Sequence, residues 1–202
     1  MKRFILAAVL ALAVFAARAQ DVVALKTNLL HDATASANLG VEVGIGDRWT
    51  VEAAASARMF DAYGIMLDHV IVRPELKYWF CEKFNGLFVS AYGMGGRVEA
   101  GHFWDFSQYY ERFPNLKTFL LKDADMLSMG VGIGYDWILG RHWNLEAEMN
   151  LGYMYLCGDE YYLSQDADGK YYLPDDAEPL LKGSIFDYVG PTRLSLSIVY
   201  LF

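Results

Sequence analysis

The chain lacks several features that would fix its class at once. Only 2 of its 202 residues are cysteine, too few for a disulfide-rich scaffold or a four-Cys zinc site. Charged residues make up 21%, a little below the roughly 25% of an average soluble domain. Positive charge is scarce: 17 Lys and Arg against 25 Asp and Glu give a net charge of −8. Phosphate binding needs a basic face, so nucleic acid is excluded as the main partner. Beyond residue 20 no apolar run reaches the roughly 18 residues of a membrane-crossing helix. What is present is apolar and aromatic. Hydrophobic residues are 54% and aromatic residues 15% of the chain, which excludes a disordered polymer. The mean hydropathy is +0.15, so the apolar content needs a location other than a spanning helix.

The first segment reads as an address. Met1-Lys2-Arg3 is a basic head, Phe4 to Ala17 is an apolar run, and Ala17-Arg18-Ala19 is a small-x-small cleavage site. This is the three-part pattern of a secretory signal over residues 1–19. Its removal near Ala19 takes three positive and no negative charges, which moves the net charge from −8 to −11. An N-terminal anchor fits less well, because the run is short and ends at a processing site.

Residues 20–202 are dominated by a period of two. Leu39, Val41, Val43 and Ile45 alternate with Gly40, Glu42 and Gly44. Val51, Ala53 and Ala55 alternate with Glu52 and Ser56, and Val70, Val72, Leu76, Tyr78 and Phe80 with Arg73, Glu75 and Lys77. Leu127 to Trp137, Trp143 to Tyr155 and Leu194 to Phe202 repeat the pattern. Two further strands are less regular, Val22–Leu30 and Phe84–Glu99, where Gly93, Gly95 and Gly96 blur the parity. The pattern predicts eight strands of about 9–13 residues and no convincing helix. Short connections (46–48, 81–85, 139–142) alternate with long ones (31–37, 61–68, and loops at about 101–125 and 158–190). Short turns on one side and long loops on the other point to an all-β, eight-stranded antiparallel up-and-down transmembrane β-barrel. Trp49, Phe80, Trp137, Trp143 and Phe202 fall where a periplasmic aromatic girdle belongs, and Met59, Phe60, Tyr153 and Tyr155 where an outer one does. A soluble sandwich or lipocalin-like barrel also alternates, with its apolar face inward; charges at mid-strand on the non-apolar face and an aromatic residue closing an alternating apolar strand favour the membrane barrel.

A resemblance enters at three places. Leu25-Lys26-Thr27-Asn28-Leu29-Leu30-His31-Asp32-Ala33, Pro74-Glu75-Leu76-Lys77-Tyr78-Trp79-Phe80-Cys81, and Asp187 to Arg193 running into the final strand are similar to the opening, middle and ending of a family of small outer-membrane barrels of Bacteroidetes type, catalogued as domain of unknown function 3575. The resemblance implies an outer-membrane barrel with no established activity, in gene neighbourhoods sometimes shared with fimbrial components. Many members carry a pair of Cys in the last loop; this chain has no Cys after Cys157.

If the apolar parity faces lipid, the other parity collects Lys26, Arg58, Arg73, Lys77 and Arg193 against Glu42, Glu52, Glu75, Glu146 and Glu148, five of each sign. An eight-stranded barrel is just wide enough for side chains to fill, and buried charges need partners. The expectation is an interlocked plug with no large aqueous pore. Gly130, Gly132 and Gly134 are expected to make room for long Arg and Glu side chains. Cys81 and Cys157 fall at opposite ends of the barrel, beyond the about 7 Å Cα separation a disulfide allows.

Other sites are weaker. His31, His69 and His102 near outer loops have no local metal-ligand spacing. Asp166-Ala167-Asp168-Gly169 resembles part of a calcium loop, but its twelfth position is Ala177 rather than Glu. His31-Asp32 with Ser36 is the one crude nucleophile set, and nothing in the sequence orients it. No catalytic residue, cofactor or metal is therefore expected. Phe103, Trp104, Phe106, Tyr109, Tyr110, Tyr161, Tyr162, Tyr171 and Tyr172 are candidate recognition residues for a surface glycan or protein ligand, because exposed Tyr and Trp serve as anchors. Ile198, Tyr200 and Phe202 form a C-terminal signal for the barrel-assembly machinery. The reading is a non-enzymatic barrel in the outer membrane of a Gram-negative bacterium, with outer-membrane lipid as its surroundings. The alternatives are an outer-leaflet lipid-modifying enzyme and an accessory of fimbrial or adhesin assembly.

Overall fold

The computed structural model describes residues 23–59, 66–101, 119–165 and 171–202. Its main body is eight antiparallel strands closed into one ring. In chain order these are β1 (Val23–Asn28), β2 (Ala37–Gly44), β3 (Trp49–Arg58), β4 (Met66–Trp79), β5 (Gly86–Gly101), β6 (Phe119–Ile138), β7 (Trp143–Tyr162) and β10 (Leu181–Leu201). β8 (Ser164–Gln165) and β9 (Tyr171–Tyr172) form a separate two-stranded ladder. Each barrel strand pairs with its chain neighbour, β7 pairs with β10, and β10 closes on β1. Among the described residues no helix is long and apolar enough to cross a membrane, which says nothing about strands.

The strands are staggered. The ladder followed around the ring from Lys26 passes Gly40, Ala54, Arg73, Met94, Ser128 and Met154 and arrives at Tyr188. The direct partner of Lys26 on β10 is Val199, well below Tyr188. Closure of a sheet demands such a stagger, which tilts the strands against the barrel axis.

Alternation becomes an inside and an outside. On β6, Leu127, Met129, Val131, Ile133, Tyr135 and Trp137 are exposed, whereas Ser128, Gly134 and Asp136 are buried. On β3, Thr50, Glu52, Ser56 and Arg58 are buried, and Val51, Ala53 and Ala55 are exposed. The protein is therefore polar within and apolar without. Outer-face rings gather at the short-turn end: Trp49 on Tyr78 (4.9 Å), Tyr78 on Phe80 (5.8 Å), Tyr135 on Trp137 (4.9 Å), and Tyr200 between Trp143 (4.8 Å) and Phe202 (5.0 Å). At the other end Met59 and Tyr153 are exposed, Tyr155 is half-buried, and Phe60 lies outside the described residues.

The sequence expectations need four corrections. β1 stops at Asn28, and Leu29–Ala33 forms a short helix, α1, where no helix was expected. Asn28 starts it by accepting the Leu30 N–H on its side chain (3.0 Å), an N-cap that ends the strand. β6, β7 and β10 run 20, 20 and 21 residues, far beyond the expected 9–13. The expected loops at 101–125 and 158–190 are correspondingly shorter: β6 begins at Phe119, β7 reaches Tyr162 and β10 begins at Leu181. The reason is bulges. Register shifts lie at Lys122/Asp125 in the β6–β7 ladder and at Leu181/Ser184 and Pro191/Arg193 in the β7–β10 ladder. A bulged residue disturbs or flips the parity, so the strand continues where the period-two pattern breaks.

Candidate functional site

The site is the lumen, and its floor is aromatic. Trp79, Phe84 and Phe88 pack together with Ala24 and Val199 next to the short-turn end. Trp79 lies 4.7 Å from Phe88 and 5.7 Å from Phe84, ring to ring. Its indole N–H donates to Thr50 Oγ1 at 2.9 Å, which satisfies the one polar atom of a wholly buried ring. Phe84 is held from the other side by Asn144, whose amide donates to the Phe84 carbonyl (2.8 Å).

On this floor stands a layer of interlocked charges. Lys77 Nζ reaches Glu146 (2.8 Å), Glu52 (3.1 Å) and Glu42 (3.3 Å) and sits 4.6 Å from the centre of the Phe88 ring. Lys26 Nζ reaches Glu146 (2.6 Å), Glu52 (3.3 Å) and Glu42. Arg73 bridges Glu52 (2.5 Å) and Glu75. Arg193 meets Glu148 (2.7 Å), Asn150 Oδ1 (3.1 Å) and Glu75 (3.7 Å). Glu148 also accepts from Ser90 (2.6 Å) and Asn150 (2.7 Å). All of these charged side chains are at most 11% exposed, so each is coupled to its partners with little solvent screening. Arg58, also buried, lies at the far end of β3, opposite His69 in the β3–β4 ladder.

All ten charges of the sequence set thus lie on the inner face, nine of them in one connected layer. Sequence reading missed Asp136, which is buried 1% exposed on the same face and adds a sixth acid to the lumen. It also missed Trp79, which shares the parity of Glu75 and Lys77. That parity was the available signal for both. Gly132 opens room for Glu148: a Cβ there would lie 2.7 Å from its Oε1 and closer still to Asn150 and Ser90. Gly134 makes room for the Phe88 ring and Gly130 for the backbone of β7. The expected Arg side chains are not the occupants.

His31 and His69 do come together, with rings 6.2 Å apart; sequence spacing gave no sign of this. His142 lies at the opposite end, stacked on Tyr200 (5.8 Å), and His102 lies outside the described residues. The crude set around His31 is not assembled as one. Asp32 accepts from Thr27 Oγ1 (2.9 Å) and Asn38 Nδ2 (2.7 Å), and Ser36 Oγ lies 3.2 Å from Thr34 Oγ1. Among the described residues no group of three metal-binding side chains occurs. Cys81 and Cys157 are free, Cys81 in the turn after β4 and Cys157 within β7.

Of the aromatic recognition set, Phe103, Trp104, Phe106, Tyr109 and Tyr110 lie outside the described residues, as does the 166–169 acidic stretch. Tyr161 and Tyr162 end β7 rather than occupying a loop, and Tyr171 and Tyr172 form β9. Lys122 Nζ stands 6.0 Å from the Tyr161 ring. Ile198 and Tyr200 lie on the outer face of β10, and Phe202 follows its last residue, with its N–H donating to the Val23 carbonyl (3.0 Å).

A family model described as "Protein of unknown function (DUF3575)" matches residues 4–202. No curated protein matches the chain.

Proposed function

The chain belongs to the DUF3575 family, and we propose on that footing that it is a non-enzymatic outer-membrane barrel with a plugged lumen, structural or recognitive in role. The observation that carries the reading is the reversal of polarity. Charged groups fill the inside, and Leu, Val, Ile and Met cover the outside of the wall. In water such an exterior would be an aggregation hazard. In hydrocarbon it is the favourable face, and closure of β10 on β1 pairs the backbone of both along their shared ladder. The ring of Trp, Tyr and Phe at the short-turn end supports the same reading, because amphipathic rings settle at the membrane interface. Residues 1–19 serve as the export signal in this proposal. The C-terminal Ile198, Tyr200 and Phe202 present the assembly signal, and the outer strand extensions present any ligand.

The test is migration of the outer-membrane fraction on a gel with and without boiling. A folded barrel runs at a different apparent mass until boiled. Recovery in the soluble fraction, or identical mobility in both lanes, overturns the proposal.

A further inference from the structure

The inner face of the barrel changes character with height. On β4 the inward residues Lys77, Glu75 and Arg73 give way upward to Ile71, His69 and Leu67. On β5 Ser90 and Tyr92 give way to Met94 and Val98, on β6 Ser128 to Met126, and on β7 Glu148 and Asn150 to Met154. Four neighbouring strands thus turn from polar to apolar above the charged layer. The seam where the ring closes is built differently. β1 ends at Asn28, paired to Ser197, while β10 runs on upward to Leu181 and β2 begins at Ala37. Above that level no strand among the described residues joins β10 to β2. The gap is spanned by α1 and by an asparagine clasp: the Asn28 N–H donates to Asn38 Oδ1 (2.6 Å), Asn38 Nδ2 to the Asn28 carbonyl (3.2 Å), and the Leu196 N–H to Asn28 Oδ1 (3.4 Å). This places His31 of α1 beside His69 of β4.

A cavity of about 390 Å³ is lined by these residues, within the range of small-molecule sites. Its apolar share comes from Leu67, Ile71, Val98 and the three thioethers Met94, Met126 and Met154, flexible groups that mould to irregular apolar ligands. Its charged share is the top of the layer already described, and that layer has no charge to spare. Lys26, Arg73 and Arg193 are each paired with glutamates, and the five glutamates with Asp136 outnumber the four cations. An anion would meet that surplus of acid. A cation would stand against Arg73 and Arg193. Either ion would also lose its hydration without gaining a free partner. What is left without a partner is of another kind. Nδ1 of His31 and Nε2 of His69 are buried and make no hydrogen bond among the described residues, and both residues line the cavity. His69 is only 8% exposed. Buried polar groups in this state call for a partner. An imidazole nitrogen donates or accepts according to its tautomer, and a hydroxyl can answer either.

We propose that this cavity binds one uncharged, compact apolar molecule that bears a hydroxyl group. Its apolar body packs against Ile71 and the three methionines. Its hydroxyl meets the two imidazoles, and the paired charges lie beneath it. The cavity needs only the closed ring, so this binding and the membrane reading stand or fall separately.

The test uses the full chain folded in an amphipathic polymer, its folded state verified by gel migration, with binding followed by equilibrium dialysis against the polymer alone as blank. Naphthol is the probe. Naphthalene lacks the hydroxyl, and naphthoate and naphthylmethylammonium carry a charge of either sign on the same body. The expected result is one equivalent of naphthol, bound at least about tenfold more tightly than any of the other three. In the double variant His31→Phe, His69→Phe, which keeps two rings and removes the unpartnered nitrogens, the preference for naphthol over naphthalene should vanish while the folded band persists. Met154→Trp, which fills the cavity without touching an ion pair, should lower naphthol affinity at least about tenfold. No binding of naphthol by the folded chain, equal binding of naphthalene or of a charged probe, an undiminished preference in the double variant, or unchanged affinity in Met154→Trp overturns the proposal. Each of these leaves the membrane reading standing, whereas a folded chain that binds naphthol but is recovered from cells in the soluble fraction overturns that reading and leaves this one.

Discussion

Lys77 shows what the lumen demands of a single residue. Its ammonium is fully buried among Glu42, Glu52 and Glu146, a position tolerable only because three carboxylates surround it. Lys77→Met removes one of the two lysines shared by three buried acids and leaves them to Lys26 and Arg73. Breaking such a buried set costs about 3–5 kcal/mol, and a urea titration followed by the folded-to-unfolded gel shift should read that loss. Arg97→Ala is the contrast. The Arg97–Asp125 pair, 3.5 Å apart, is 76% and 78% exposed, and removal of an exposed pair costs under about 1 kcal/mol. Equal losses in the two variants would contradict the interlocked layer. Gly132 tests packing instead of charge. Gly132→Val drives a side chain into Glu148, Asn150 and Ser90, and overpacking of this kind costs about 1–3 kcal/mol. Gly46→Ala meets nothing within 4 Å and should titrate like the parent. At this scale much was legible: parity alone put all ten charged residues on one face. Asp136 and Trp79 were as legible by the same rule. The contact of His31 with His69 was not, because it joins a helix to a strand that closure alone brings near.

Elements were legible in number and order but not in extent. Period two finds a strand only while its register holds, and β10 changes register at Thr192. Below it Leu194, Leu196, Ile198 and Tyr200 face outward; above it Val189 and Ile185 do. Thr192 turns inward and bonds to the Tyr92 hydroxyl and to the Asn150 carbonyl (3.4 Å). Deletion of Thr192 should therefore rotate one side of the strand through the wall. Either Arg193 and its neighbours leave the lumen or Val189 and Ile185 enter it. The expected outcome is loss of the heat-modifiable band, while Thr192→Ser, which keeps the hydroxyl, retains it. A deletion variant that folds like the parent would contradict the bulge. The helix α1 was hidden for a different reason. Five residues carry too little periodicity to read, and what fixes them is a single cap at Asn28 together with the clasp to Asn38.

At the scale of the whole molecule, closure converts these local rules into one property. The proposed plug, an eight-membered ring with an aromatic floor and a layer of paired charges, predicts that addition of the folded chain to a planar bilayer gives no stable nanosiemens-scale conductance. A persistent step of that size would contradict the plug. The sequence reached the ring through strand parity and the alternation of short and long connections; the seam beside β10 escaped it, because a gap in a wall is a relation between strands rather than a pattern within one. The central claim is that the apolar face meets lipid and the charged face does not. Its most direct test is a nitroxide scan along β6, one single-cysteine variant at a time from Leu127 to Trp137, in a background with Cys81 and Cys157 replaced by serine. The account predicts a period of two in vesicles: oxygen, which concentrates in lipid, reaches labels at Leu127, Met129, Val131, Ile133, Tyr135 and Trp137, and those at Ser128 to Asp136 are shielded from it. Accessibility without that alternation, or an aqueous nickel reagent reaching the labels at Met129 to Ile133, would contradict it.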